Sequence, residues 1–165
     1  MKKKKAPSKG FTLIEILVVI GIVAVLATLV LIALNPARQF AQARNSQRVS
    51  NINTLLNALG QRIADNKGVL AGTFTSNGTS YTCPQLTAGT VYTIASAAGG
   101  TNVDLSCLTP TYIPSALPFD PSAASAKWTS AADYDTQYTI TIDANGRYTI
   151  SAPTAELDQK IAVTR

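Results

Sequence analysis

At 165 residues the chain is long enough for one domain and short for two. It carries fourteen Lys/Arg against nine Asp/Glu, but five of the bases lie in the first ten residues, and beyond residue 10 the charges cancel. The basic character therefore belongs to the N-terminal segment and argues against nucleic-acid binding, while the lack of any histidine removes the commonest general base and metal ligand.

Residues 1–10, MKKKKAPSKG, read as a short basic leader. Residues 11–34, FTLIEILVVIGIVAVLATLVLIAL, are 24 nearly continuous apolar residues. As a helix rising 1.5 Å per residue they reach about 36 Å, enough to cross a hydrocarbon core of about 30 Å, so the span from Phe11 to Leu34 is predicted to be transmembrane. The lysines stay in the cytoplasm and everything after Leu34 lies outside. Asn35-Pro36 then interrupts the run. Pro36 has no N–H for the carbonyl of Ile32, so a helix break is expected there, with Asn35 as a cap for the next helix.

Residues 35–67 are predicted to continue as an amphipathic helix. Val49, Ile52, Leu56, Leu59 and Ile63 step by three and four and draw one apolar stripe, with Asn45, Ser46, Gln47, Arg48, Asn51, Asn53 and Gln61 on the other faces. Asn66-Lys67-Gly68 is a helix stop. Residues 68–165 turn to strands and turns. Val91 to Ile94 is a short strand. The four prolines at 110, 114, 118 and 121 mark an extended loop. Tyr134 to Asp143 alternates, with Tyr134, Tyr138, Ile140 and Ile142 on one face; Asn145-Gly146 suits a tight hairpin turn, and Arg147 to Ala152 returns. The expected fold class is α+β: one long N-terminal helix, membrane-spanning in its first half, packed on a small antiparallel sheet that forms an extracellular head.

Cys83 and Cys107, with no histidine to join them, fit a disulfide better than a zinc site. A disulfide implies an oxidising compartment, which agrees with the orientation set by the lysines. Residues 35–67 carry a net +4 and residues 68–165 a net −3. Arg38, Arg44 and Arg48 form either a solvated face or contacts with lipid headgroups and neighbouring acidic heads. Asp120, Asp133, Asp135 and Asp143 are the one carboxylate group worth testing for calcium, but they lack the spacing of a calcium loop and no metal is assigned. No acid–base pair, CxxC or phosphate-cradling glycine loop is present, so no enzyme activity and no cofactor are expected.

The informative string is Lys9-Gly10-Phe11-Thr12-Leu13-Ile14-Glu15, entering the apolar run. A carboxylate inside a spanning segment costs roughly 2–3 kcal/mol or more and usually has a partner. If the chain is cut after Gly10, the new Phe11 amine supplies a cation near the same depth. In one helix four residues bring them to one side; in an assembly Glu15 meets the amine of a neighbour.

In residues 10–27, GFTLIEILVVIGIVAVLA, the sequence resembles the type IV pilin and pseudopilin family. The resemblance implies cleavage between Gly10 and Phe11 by a prepilin peptidase, which also methylates the Phe11 nitrogen. It further implies extraction from the inner membrane, at a platform driven by an assembly ATPase, into a homo-oligomeric helical filament. Long helices would pack in its centre, with Glu15 against a neighbour's Phe11 amine. The chain would then be a single-pass membrane protein before assembly and part of a cell-surface pilus afterwards. The alternatives are a pseudopilin of a type II secretion system, a minor pilin of a DNA-uptake pilus, and, in another class, an uncleaved membrane-anchored binding module. A secretory signal peptide cut after Ala41-Gln42-Ala43 is disfavoured by the length of the apolar run and by Glu15. The helix-breaking proline is usually nearer the cleavage site in that family; here Pro36 stands 25 residues beyond Phe11.

Overall fold

The computed structural model describes residues 10–96 and 100–165, so the basic leader lies outside the described residues except for Gly10. The chain divides into two compact units, Met1–Gln39 and Phe40–Arg165.

The first unit is dominated by α1, Leu13–Leu34. Its side chains are apolar on every face, and all its large apolar residues from Leu13 to Ile32 are exposed within the chain. By length and composition Leu13–Ile32 can cross a membrane. The helix ends where Asn35 turns left-handed, at φ 41. Asn35 also starts the next helix, α2 (Pro36–Asp65), because its Oδ1 accepts the Arg38 N–H at 3.3 Å. Pro36 is the first residue of α2, a position where its missing N–H is of no consequence.

In the second unit α2 lies along the core. Its buried line runs Ala41, Asn45, Arg48, Ile52, Leu55, Leu59, Arg62, in steps of three and four. The predicted stripe is thus corrected in two ways. Val49 sits one residue, about 100° of helix, past the buried line and is 41% exposed. Asn45, Arg48 and Asn51, expected on solvent faces, are buried. The helix stops where Lys67 and Gly68 take positive φ and the Gly68 N–H returns to the Ile63 carbonyl at 2.8 Å.

Beyond α2 a hairpin of β1 (Gly72–Ser76) and β2 (Thr79–Cys83) forms its own two-stranded sheet. The main sheet contains β3 (Tyr92–Ala95), β4 (Asn102–Val103), β5 (Lys127–Ser130), β6 (Asp133–Ile142), β7 (Tyr148–Ala152) and β8 (Ile161–Thr164). Its order is β4-β3-β6-β7-β8, with β5 pairing the first part of β6. All its pairs are antiparallel except the short β3–β4 pair. Alternation in β6 buries Tyr134, Thr136, Tyr138 and Ile140, and Ile140 opposes Ile150 of β7. Tyr134, Tyr138, Ile140 and Ile150 meet Ile52, Leu55, Leu56 and Leu59 of α2 in one core. The segment from Pro110 to Pro121 is irregular, as expected, yet it contributes Ile113 and Leu117 to that core.

The two Asn-Gly dipeptides make different turns. Asn77-Gly78 is the two-residue hairpin turn, with both residues at positive φ (49 and 80) and Ser76 paired with Thr79. Asn145-Gly146, predicted to do the same, lies in a longer loop closed by Asp143, whose carboxylate accepts the N–H groups of Asn145 and Arg147. Only Gly146 of that pair takes positive φ.

Cys83, at the end of β2, is disulfide-bonded to Cys107 in a 3₁₀ turn at Ser106–Leu108, with 5.4 Å between Cα atoms. Both cysteines are buried. The bridge, with the Arg62 guanidinium stacked 4.5 Å from the Phe74 ring centre, joins the hairpin to the rest of the head. A closed loop of this sequence separation, 24, constrains the unfolded chain by about 3 kcal/mol. The Cys83→Ala/Cys107→Ala double variant is therefore expected to lose about 3 kcal/mol in denaturant unfolding followed by Trp128 fluorescence. Unchanged stability, or two free thiols in alkylated protein from the cell surface, would show that no such bridge holds the head.

Candidate processing and assembly segment

Gly10 and Phe11 are exposed and precede the helix. Thr12 is the N-cap of α1, extended at φ −82 and ψ 152. The four N–H groups at a helix start have no partner within the helix and need other acceptors. The Thr12 Oγ1 accepts the Glu15 N–H at 3.3 Å, and the Glu15 carboxylate accepts the Thr12 N–H at 2.7 Å and the Thr12 hydroxyl at 2.8 Å. This is a reciprocal capping box. Its signal is present in the sequence as Thr12-x-x-Glu15, but treating Glu15 only as a charge in need of a cation passes over it. In the uncut chain Phe11 precedes α1, which begins at Leu13 with Thr12 as its cap. Both bonds from Thr12 fall on Oε2, and Oε1 has no hydrogen-bond partner among the described residues.

Residues 5–31 match the family defined by the prokaryotic N-terminal methylation motif, which is the prepilin signature of type IV pilins and pseudopilins. The match covers the helix start, the capping box and most of α1. It supports a type IV pilin-like or pseudopilin precursor, and the family the motif defines is structural rather than catalytic. No curated protein and no solved structure matches the chain.

The other sequence candidates, the arginines of α2 and the aspartates of the head, are mostly taken up in pairs within the chain. Asp133 pairs with Lys127 at 2.6 Å, Asp143 with Arg147 at 2.8 Å, and Asp135 accepts from Gln137. No carboxylate cluster suited to a metal occurs among the described residues. Asp120 instead meets Arg48. The Arg48 guanidinium is completely buried; it donates to Asp120 at 2.7 and 3.1 Å, to Glu156 at 2.9 Å, to Asn45 at 2.7 Å and to Ser122 at 2.7 Å. Arg44 closes the other side of Glu156 with two bonds of 2.6 and 2.7 Å. Arg44 and Arg48 are therefore engaged within their own chain. They clasp the 120–123 and 153–159 loops of their own chain, because a buried guanidinium is tolerated only when its donors are met.

Burial alone would raise the Asp120 carboxyl, but Arg48, the Thr154 hydroxyl at 2.5 Å and the N–H groups of Ser122 and Ala123 outweigh it and hold it well below the usual carboxylate range. Arg44 and then Arg48 lower Glu156 to about 2. Both groups bind their proton less readily folded than unfolded. Their contribution is complete above the unfolded carboxylate range, near pH 4, and is lost as pH falls toward 2. Arg48→Met leaves Asp120 buried without its cation and is expected to destabilise the head by about 3–5 kcal/mol. It should also flatten the loss of stability between about pH 4 and 2. Adding Asp120→Asn should restore part of the loss. Urea unfolding of the three proteins at pH 7 and pH 3 tests this; a cost below about 1 kcal/mol for Arg48→Met would show the clasp to be dispensable.

Proposed function

We propose that the chain is a structural subunit of a type IV pilus-like extracellular filament and has no catalytic role. It is made as a prepilin, held in the membrane by α1 with its N-terminus in the cytoplasm, cut between Gly10 and Phe11 by a prepilin peptidase, methylated at Phe11, and assembled through α1 by a membrane platform and ATPase. The observation that carries this reading is the methylation motif at residues 5–31, set on a helix apolar on every face.

The chemistry supports the assembly step. Cleavage turns the Phe11 amide into a cation, and Glu15 is the acid nearest to it in sequence. Because the capping box uses Oε2, the second oxygen can accept a neighbour's amine without dismantling the helix start. A charge that is costly alone and satisfied on stacking favours one register.

The mature protein is expected to begin at Phe11 with a methylated amine, read by N-terminal mass analysis. A start at Met1 would mean a retained anchor, and a start at Arg44 a signal peptide. Glu15→Ala should still insert, since the span becomes more apolar. It should lose a charge-assisted pair of about 1.5–3 kcal/mol per contact, about ten- to a hundredfold in subunit addition. Glu15→Gln separates shape from charge. Normal filaments from correctly cleaved Glu15→Ala protein alone would overturn the pairing. Purified filaments in which this chain dominates identify a main pilus subunit; a trace amount identifies a minor pilin or pseudopilin.

A further inference from the structure

We propose that Asn77 is an N-glycosylation site, accepting an oligosaccharide from a polyprenyl-diphosphate donor. The sequence contains one Asn-x-Ser/Thr triplet, Asn77-Gly78-Thr79. The fold sets it at the tip of the β1–β2 hairpin. Asn77 and Thr79 are both exposed, and neither side chain has a hydrogen-bond partner among the described residues. At Gly78 even an added Cβ would meet nothing within 4 Å. The Asn77 backbone, at φ 49, takes the left-handed turn conformation that asparagine tolerates, and its side chain is exposed. Turn chemistry explains Asn-Gly by itself, and Asn145-Gly146 occurs without a hydroxyl two residues on, its place taken by Arg147. Thr79 supplies that hydroxyl at the hairpin tip.

In the transfer, the Asn77 Nδ2 forms a bond to the anomeric carbon of the sugar. The bond from that carbon to the diphosphate oxygen breaks, the diphosphate leaves with the electron pair, and the amide nitrogen gives up one proton. No oxidant or reductant is needed. The hairpin is a sheet of its own, tied to the head through Cys83 and the Arg62–Phe74 stack, so a glycan at its tip leaves the main core untouched. The inference rests on the proposed export of the head.

The test uses full-length protein isolated from the surface of its native host. After reduction and digestion, the Asn77 peptide is expected to be heavier by a whole-sugar composition, with the first sugar retained on Asn77 on fragmentation. The increment should vanish in Asn77→Gln and Thr79→Ala and persist in Thr79→Ser. An unmodified Asn77 peptide overturns the proposal, as does a sugar that survives Asn77→Gln on a Thr or Ser hydroxyl. The N-terminus is read in the same sample: a chain that begins at Met1 overturns the processing reading, whatever the state of Asn77.

Discussion

A helix that is apolar on every face has no preferred orientation in water and cannot be covered by one partner surface. It needs an apolar medium around its whole circumference, which only lipid or a bundle of other helices provides. α1 is such a helix, and its large apolar side chains from Leu13 to Ile32 are exposed within the chain. The organisation of the protein derives from that constraint. Both cysteines and eight of the nine acidic residues lie after Asn35, and the polar side chains of α1 are few and bond locally: the Thr28 hydroxyl donates to the Ala24 carbonyl at 2.9 Å, and Glu15 bonds with the N-cap Thr12.

The head has the opposite difficulty. It is small, rich in Thr, Ser and Gly, and half of one face of its helix is polar. A wholly apolar interface would demand residues that α2 lacks between Ala41 and Asn51. The fold meets this with charge instead. Arg48 is buried against two carboxylates, Asn45 bonds the backbone of Glu156 in both directions, and Asn51 bridges the Phe119 carbonyl and the Tyr138 hydroxyl. Most of these bonds join α2 to irregular chain rather than to a strand. Such loops have no ladder to hold them and few apolar side chains to bury, so directional bonds from a rigid helix are the available restraint.

Much of the architecture was legible because it rests on period and length. The spanning segment, the break at Asn35-Pro36, the stop at Asn66 to Gly68 and the alternation of β6 all come from patterns of apolar and turn-forming residues. The clasp was not legible from apolarity, since a buried arginine has the same letter as an exposed one. A weaker signal existed: extending Ile52, Leu55 and Leu59 back by four and three lands on Arg48, Asn45 and Ala41. The strands β1, β2, β5 and β8 escaped because each is only four or five residues long, so the one or two side chains each turns to the core make too short an alternation to read. The N-terminal site was recognisable by residue type and order, whereas its local geometry depended on where the helix starts, which is two residues later than Phe11.

Because α1 starts at Leu13, one carboxylate can serve two states. Among apolar side chains a Glu15 with no donors of its own would carry an uncompensated desolvation cost. The capping box gives it two donors that belong to the helix start itself and that survive removal of residues 1–10, because Thr12 lies beyond the cut. On the proposed cleavage the helix start therefore keeps its cap, and the group that changes is Phe11, from a neutral amide to a cation. An interaction that arises in this way is silent in the precursor and available in the product, without any rearrangement of the fold. Electrostatics of this kind favours a register more than it adds raw affinity, since the desolvation of both charges offsets much of their attraction. In the proposed filament, the bulk of the driving force for bringing α1 helices together would then come from packing among their apolar faces, and the Glu15 carboxylate would select which of the many possible offsets is kept.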